Sequence, residues 1–388
     1  MRIDSARSLR LSKALRKPTG VRVVALSSRV VLGIFSVHAG GESVRRFRFA
    51  AVAILIVASA AGVCVAAQAA AGAPTPSIFA PVSTPAAAIG DYAWLVIAVC
   101  GAIFVLVSTL LAYALLRFRL RGVDDGREPP QIYGSNALEL AWTLIPVVVV
   151  FLLSLVSIRV VGELQIDTRP PGWMPVQVIG HQWWWEIRYP ELGITTANEL
   201  HVPVSDSAAP RPTFLDLESR DVIHSFWIPQ LAGKMDVVPN RLNHVWLEPS
   251  EIGVYVGQCA EFCGTQHANM LLRVVVHSPE DFRAWARAQR RDAVREAAVA
   301  QGRELFLRTA CVSCHTVRGT PAAGRFGPDL THLMSRATLG AGALLNNPQN
   351  LRAWIRSPEH FKPGVRMPEM GLPQPEINLV ASYLATLK

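Results

Sequence analysis

The chain has 388 residues, of which 51% are hydrophobic and 17% are charged, and its formal net charge is +9. This length suits two or three domains, and such an apolar composition favours a membrane protein over an ordinary soluble one. The six cysteines show no regular spacing that would indicate a disulfide framework, which argues against a small secreted scaffold.

Residues 1–68 are predicted to be a basic extension that ends in a signal sequence. Residues 1–48 carry eleven Lys/Arg residues against two acidic ones and show no sustained periodicity. Three arginines between positions 45 and 48 then precede an apolar core at 49–67 and a zone of small residues, as in a cleavable signal sequence. An uncleaved anchor is the alternative interpretation, whereas the residue before Cys64 fits a lipid-attachment motif poorly.

Two uncharged apolar segments, 93–116 and 140–158, predict a transmembrane helical hairpin over residues 88–160. Each segment is long enough to cross a hydrocarbon core of about 30 Å. Four arginines lie between positions 117 and 127, whereas residues 69–94 contain no Lys or Arg. By the positive-inside rule the connecting loop is cytoplasmic. We therefore expect a multi-pass protein of the bacterial inner membrane with a large extracytoplasmic C-terminal part.

Residues 163–280 consist of short alternating segments broken by proline and glycine, such as MPVQVIGHQWWWEIRY, NELHVPV and NMLLRVVVHSP. Several short strands at this spacing predict an antiparallel sandwich or barrel. Three tryptophans in one strand would place Trp183 and Trp185 on one face and Trp184 on the other. One of these faces is expected to belong to the core.

The C-terminal third returns to helical patterns. Residues 281–300 are predicted to be a charged helical linker, and residues 301–388 end in the amphipathic helix PEINLVASYLATLK. The predicted architecture is therefore multidomain: a two-helix transmembrane hairpin, an all-β domain and an all-α domain.

The segment GQCAEFCGTQHANM, residues 257–270, collects several soft ligand atoms. Its Cys-x3-Cys spacing does not match the usual zinc pattern, and zinc seldom takes a thioether. Thiolates, imidazole and a weak methionine ligand are typical of copper electron-transfer sites, and two cysteines indicate two coppers that share bridging sulfurs. Such a site needs a second histidine, for which His224 is the best candidate. A disulfide between Cys259 and Cys263 is the alternative, but it would not explain the presence of His224, His267 and Met270.

The segments RDVIHSFWIP, KMDVVPNRLN and GQCAEFCGTQHANM resemble subunit II of haem–copper cytochrome c oxidases, and the resemblance covers roughly residues 88–280. It implies a cupredoxin fold that holds a dinuclear CuA centre. The ligands that it implies are two bridging cysteines, one histidine for each copper, a weak axial methionine and a backbone carbonyl: Cys259, Cys263, His224, His267, Met270 and Glu261.

The same resemblance implies further roles. Trp183 would be an exposed point at which electrons enter, and the Glu261 side chain would reach a magnesium ion at the interface with subunit I. Glu139 would lie at the entrance of a proton channel of subunit I, although a solvated residue at a helix start is the ordinary alternative. The chain departs from the family at Trp184, where tyrosine is common, and at Asn240, where glycine is usual. Asparagine tolerates left-handed backbone, so the turn is expected to be preserved.

The sequence CVSCH supplies the c-type haem signature with Cys311, Cys314 and His315. Two thiols on one helical turn can reach the two haem vinyl groups, and the adjacent imidazole becomes the proximal ligand. A thioredoxin-like redox pair would require a βαβ setting, which the pattern does not indicate. Similarity to class I cytochromes c over residues 301–388 implies Met367, rather than Met370, as the distal ligand, and Met/His ligation raises the haem potential.

The two C-terminal domains carry opposite charge. Residues 163–280 contain fourteen acidic and seven basic residues, a net charge of −7, whereas residues 301–388 contain five and ten, a net charge of +5. Their linker keeps the local concentration near millimolar. We therefore predict that the haem domain docks on the acidic face around Trp183 and donates electrons to the copper pair.

The chain is accordingly interpreted as subunit II of a proton-pumping caa-type cytochrome c oxidase. Its expected partners are subunit I, subunit III, a cytochrome c-type donor and the membrane, with no nucleic acid. A CuA-bearing subunit of a nitric oxide reductase is the neighbouring alternative, and a non-catalytic copper carrier or assembly module is another. A quinol-oxidase subunit is disfavoured, because that relative lacks the copper ligands that are present here.

Overall fold

The computed structural model describes residues 76–388, with the exception of 120–125, 127, 129, 132, 167 and 207–209. The predicted extension and signal sequence, residues 1–68, and Cys64 therefore lie outside the described residues. So do Arg121 and Arg127 of the loop between the two apolar segments.

Two long helices form the predicted hairpin. Helix α1 spans Thr84–Arg117 and helix α2 spans Asn136–Leu164, and both are long and apolar enough to cross a membrane. Both helices continue past the predicted segments into flanking residues that include Asp91, Glu139 and Arg159. Their large apolar side chains are exposed, as lipid-facing side chains must be; Phe104, for example, is 71% exposed. The hydroxyls of Tyr92 and Ser157 form a hydrogen bond of 2.6 Å between the two helices.

The β domain is a sandwich of two five-stranded sheets, in the strand orders β3-β2-β1-β5-β8 and β4-β10-β9-β6-β7. The strands are β1 Met174–His181, β2 Trp184–Tyr189, β3 Ile194–Ala197, β4 Glu199–Pro203, β5 Thr213–Ser219, β6 His224–Trp227, β7 Met235–Val237, β8 Asn243–Leu247, β9 Gly253–Cys259 and β10 Leu271–His277. The pairs β1–β5 and β4–β10 are parallel, so the sheets are mixed instead of purely antiparallel.

The core of the sandwich includes Trp185, Leu217 and Phe226, all nearly inaccessible to solvent. The expectation of three tryptophans in one strand is wrong, because β2 begins at Trp184 and Trp183 lies in the turn between β1 and β2. Trp183 and Trp185 are nevertheless both buried, while half-buried Trp184 stacks on His181 at 4.3 Å between ring centroids.

The prediction for Asn240 is confirmed. Its backbone is left-handed, with a φ of 60°. Asparagine adopts this region more easily than most other residues, because its short polar side chain can hydrogen-bond locally. The turn can therefore form without the usual glycine.

The linker is helical for only part of the predicted length. Helix α3 spans Pro279–Gln289, and its start is capped by the Ser278 hydroxyl, which accepts from the Asp281 N–H. The helix then ends because the next backbone groups bind the following domain: the Ala293 N–H donates to the Arg318 carbonyl at 3.1 Å. The expectation of one helix over 281–300 is therefore wrong.

The C-terminal domain is a small helical domain. Its helices are α4 Ala300–Arg308, α5 Cys311–Cys314, α6 Pro348–Arg356, α7 Pro358–Phe361 and α8 Gln374–Leu384, with a short hairpin of β11 Thr338–Leu339 and β12 Leu344–Leu345. Phe306 of α4 and Tyr383 of α8 meet in its core at 5.6 Å between ring centroids. Gly302 allows this close crossing, because a Cβ atom there would overlap the Leu379 carbonyl.

We predict that Gly302→Ala lowers the free energy of unfolding of the helical domain by about 1–3 kcal/mol, the usual effect of overpacking. Circular dichroism during thermal unfolding measures the change. Gly162→Ala is the matched control, since Gly162 is also helical and nothing lies within 4 Å of its added Cβ. An unchanged unfolding temperature for Gly302→Ala would contradict this helix packing.

Candidate functional site

Two paired strands bring the sulfur-rich segment to His224. In the register of β6 with β9, Phe226 lies opposite Cys259, so His224 at the start of β6 lies close to the end of β9. The Cys259 N–H donates to the Met270 carbonyl at 2.9 Å and closes the segment 257–270, which we call the cysteine loop. The loop thus returns to β10 with its ligand side chains gathered at one end of the sandwich.

All the predicted copper ligands meet there. The sulfurs of Cys259 and Cys263 are 3.8 Å apart. His224 Nδ1 lies 3.9 Å from the Cys259 sulfur, and His267 Nδ1 lies 3.7 Å from the Cys263 sulfur. The Met270 sulfur is 3.8 Å from that of Cys263. The Glu261 carbonyl oxygen is 3.2 Å from the Cys259 sulfur.

His224 is oriented by a carboxylate. Its Nε2 lies 2.8 Å from Asp221 Oδ1, and because a carboxylate only accepts, Nε2 carries the proton and Nδ1 is left to coordinate. Burial opposes ionisation of Asp221, but hydrogen bonds from His224 and from the Gln182 and Val222 N–H groups hold its pKa below the ordinary value. This is the arrangement by which proteins fix a metal-binding imidazole.

The two cysteines form a coupled pair. The contact between the two sulfurs, 3.8 Å apart, lowers the pKa of Cys259 below its ordinary value. The same contact and burial raise the pKa of Cys263 above its ordinary value. One thiolate is thus formed readily, and the donor set of two sulfurs, two imidazoles and a buried thioether fits soft copper. All these donors come from the protein.

Trp183 connects the cysteine loop to the helical domain. Its indole N–H donates to the Cys263 carbonyl at 2.9 Å, and the Gln182 amide donates to the same oxygen at 2.8 Å. The expectation that Trp183 is exposed is wrong, since the side chain is only 9% exposed. The helical domain covers it: Lys362 donates to the Trp183 carbonyl at 2.7 Å.

The haem signature lies on α5 and the residue after it. Cys311 and Cys314 are half-buried at the two ends of that helical turn. His315 Nδ1 lies 2.8 Å from the Pro328 carbonyl, which only accepts, so Nε2 is left to bind iron. Burial lowers the pKa of His315, which favours the neutral ligand form. A Cβ on Gly327 would come within 2.5 Å of the His315 ring, so this glycine leaves space beside the ring.

These residues fit a covalent haem, with two thiols, an oriented imidazole and a glycine that leaves room for the ring. Met367 lies half-buried in the segment between α7 and α8. Met370, in the same segment, is half-buried as well.

Neither glutamate of the predicted site brings its carboxylate into the cluster of His224, Cys259 and Cys263. Glu139 is exposed in the first turn of α2, where its carbonyl accepts from the Thr143 hydroxyl. The half-buried Glu261 contributes its carbonyl to the cysteine cluster, as described above. Among the described residues, His224, Cys259 and Cys263 form a group whose side chains could hold a metal ion. The carboxylates of Glu139 and Glu261 do not belong to it.

Sequence reasoning missed three residues at these sites: Asp221, Gln182 and Lys362. Asp221 precedes His224 by three positions, and its proximity to a ligand histidine was the available signal. Gln182 was visible only as part of the His-Gln motif. Lys362 carried no signal, because its partners lie far away in the sequence.

Two membrane-spanning helices, a cupredoxin-like sandwich and a helical domain with a haem signature define a class of protein, the membrane-anchored redox subunit. Comparison with known families gives the same result. Residues 79–160 match the transmembrane domain of cytochrome c oxidase subunit II, residues 174–278 match its periplasmic domain, and residues 299–388 match cytochrome c. The chain belongs to the cytochrome c oxidase subunit II family, in the caa-type form that carries a fused cytochrome c domain.

Known relatives cover most of the chain. Cytochrome c oxidase subunit 2 of Alkalihalophilus pseudofirmus is 34% identical over 309 residues, which cover 77% of this chain and 87% of the relative. The subunit of Bacillus sp. strain PS3 is 32% identical over 291 residues, 70% of this chain and 80% of the relative. The solved periplasmic domain of subunit II of cytochrome oxidase from Bradyrhizobium japonicum is 28% identical, with a TM-score of 0.29, and spans 31% of this chain and 96% of that structure.

The chain is therefore an oxidoreductase subunit of a haem–copper oxidase and fits with subunit I in that complex. Its families imply copper, in CuA, and haem c. The two helices and the periplasmic-type domain indicate a membrane protein with an extracellular C-terminal part.

Removal of the charge that orients His224 tests the site. We predict that Asp221→Asn weakens copper binding by about 10–100-fold, the usual effect of removing an outer partner of a metal-binding histidine. Competition with a copper chelator measures the affinity. Glu218→Gln is the control, because among the described contacts the Glu218 carboxylate pairs with Arg220 at the surface. Equal affinities for the two variants would contradict this role of Asp221.

Proposed function

We propose that this chain receives electrons from a cytochrome c-type donor in a proton-pumping terminal oxidase of the bacterial inner membrane. Electrons pass to subunit I, where O2 is reduced to water, and subunit III is a further partner. The observation that carries the proposal is the position of Trp183, which contacts both the Cys263 carbonyl and the helical domain.

The chain's own residues hold the two groups. When bound, haem c and the CuA pair supply one-electron redox chemistry. The residues that would hold the copper pair offer two thiolates, two imidazoles, a thioether and a carbonyl: Cys259, Cys263, His224, His267, Met270 and Glu261. The residues that would hold the haem are the two thiols, the imidazole and a thioether: Cys311, Cys314, His315 and Met367.

Trp183 offers a direct contact between the two domains. On one side its indole hydrogen-bonds to the backbone of Cys263, and on the other a Cβ at Gly364 would lie 3.9 Å from its ring. Gly364 is three residues before Met367. Because the indole is covered by this domain, an external donor delivers its electrons to the haem of the chain and not to Trp183.

Two carboxylates, those of Glu261 and Glu139, act at the contact with subunit I. The Glu261 side chain binds a magnesium ion at that interface, and Glu139 lies at the entrance of a proton channel. The exposure of Glu139 at the start of α2 supports its role, because a proton-collecting carboxylate must meet water.

The purified complex provides the direct test. We expect two coppers and one covalent haem per chain, oxidation of reduced cytochrome c and consumption of O2. Consumption of NO in place of O2 would indicate a nitric oxide reductase. A single exchangeable copper without covalent haem would indicate a copper carrier.

We predict that Trp183→Ala slows haem-to-copper electron transfer about tenfold or more, because it removes the contact with Cys263 and loosens the geometry between the domains. Stopped-flow or flash reduction measures the rate. Trp184→Ala is the control, since Trp184 stacks on His181. If transfer in Trp183→Ala stays at the wild-type rate even at high salt, Trp183 does not carry this step.

We predict that Met367→Ala lowers the reduction potential of the haem, because Met/His ligation raises it. A redox titration of the haem absorbance measures the potential. Met370→Ala should leave the potential unchanged. The opposite pattern would assign the distal ligand to Met370.

A further inference from the structure

Lys362 is the most deeply buried lysine among the described residues, and it lies between the two extracellular domains. It follows α7 in the helical domain and is 1% exposed. Its ammonium donates to three carbonyl oxygens: Trp183 at 2.7 Å, Asn269 at 2.9 Å and Gly340 at 2.9 Å. Two of these acceptors belong to the sandwich and one to the helical domain.

The number of acceptors matches the chemistry of the side chain. An ammonium has three N–H donors and no acceptor, and here every donor has a carbonyl. Burial removes water from the charge and lowers the pKa of Lys362 to about 7. The three carbonyls replace that water, so the contact depends on both domains being in place.

The residues next to Lys362 lie against the cysteine loop. The Pro363 carbonyl accepts from the Gln266 amide at 2.6 Å. Gly364 lies beside the Trp183 ring. Arg366 Nη1 lies 3.8 Å from Asp221 Oδ2, and its other nitrogen donates to Gln182. Residues 362–366, which lead to Met367, therefore lie close to the cysteine loop or to the residues beside it.

We propose that Lys362 is a positioning residue that fixes the cytochrome domain on the cysteine loop, so that the haem-ligand segment lies over Trp183. The inference rests on the proposed function in that electrons cross at this contact. Opposite net charges steer the two domains toward each other. The two directional hydrogen bonds from Lys362 to the sandwich carbonyls of Trp183 and Asn269 then fix one domain on the other.

Two backbone amides report the docked state directly. The Leu271 N–H donates to the Ala341 carbonyl at 3.1 Å, and the Ala337 N–H donates to Glu199 Oε1 at 2.7 Å. Both bonds join one domain to the other. An amide exchanges with solvent only when its hydrogen bond opens, so undocking accelerates the exchange of both.

The test is hydrogen exchange on Lys362→Met in the assembled complex. The methionine has a similar length but leaves three buried carbonyls without donors, so exchange at Leu271 and Ala337 should rise about tenfold or more. Haem-to-copper transfer should slow in parallel, while the haem and copper spectra stay those of wild type. Arg308→Met is the charge control, because Arg308 pairs only with Glu304 on the outer surface among the described contacts. Wild-type protection of both amides in Lys362→Met would overturn the proposal.

If Lys362→Met does not assemble with its copper and haem, a measurement on the wild-type protein provides the test. Lys362 should react with an amine-acylating reagent at least about ten times more slowly than Lys388, an exposed lysine of the same domain. Equal rates would overturn the proposal. Failure of the proposed function would appear differently, as missing copper or haem in the wild-type protein, because neither amide exchange nor acylation depends on electron transfer.

Discussion

The pairing of β6 with β9 is the constraint on which the candidate copper site depends. It places His224 beside Cys259, although the two residues are 35 positions apart in the chain. The core beneath them, with Phe226 and Trp185 fully buried, prevents the strands from sliding. A shift of one residue would turn His224 to the other face of the sheet, because side chains alternate along a strand. The packing of the sandwich therefore makes the candidate copper site rigid.

That rigidity extends to the surface where the domains meet. Trp183 lies in the turn after β1, and its indole is bonded to the Cys263 carbonyl, so the aromatic ring and the cysteine loop are one structural unit. The helical domain contacts this unit through backbone carbonyls and amides more than through ion pairs. Ion pairs that solvent reaches contribute little and are screened by salt. The pair of exposed Arg366 with half-buried Asp221, at 3.8 Å, therefore has a minor role.

Trp183 was expected to be exposed, but the fused domain buries it. In this chain the covering contacts come from Lys362 and Gly364 of the fused cytochrome domain. The linker supports this arrangement, because its backbone leaves α3 after Gln289 and binds the helical domain through Ala293. The two domains therefore form a continuous contact surface in place of two bodies on a flexible tether.

The sequence by itself determined the parts of the protein that depend on local pattern. Apolar length predicted the hairpin, alternation predicted the sandwich, and the spacing of cysteines, histidines and methionine predicted both sites, because ligands within one loop or one helical turn lie close together wherever the chain folds. Asn240 was predictable in the same way, since the backbone preference of a single residue sufficed.

Only the tertiary structure decided what long-range contacts control. The linker helix ends early because Arg318 binds its backbone, Trp183 is buried because another domain covers it, and Lys362 meets carbonyls up to 179 positions away. Backbone carbonyls occur at every residue, so no sequence pattern marks which of them a buried ammonium will contact. Their position depends on how two folded surfaces fit together, and that is defined only when both domains have formed.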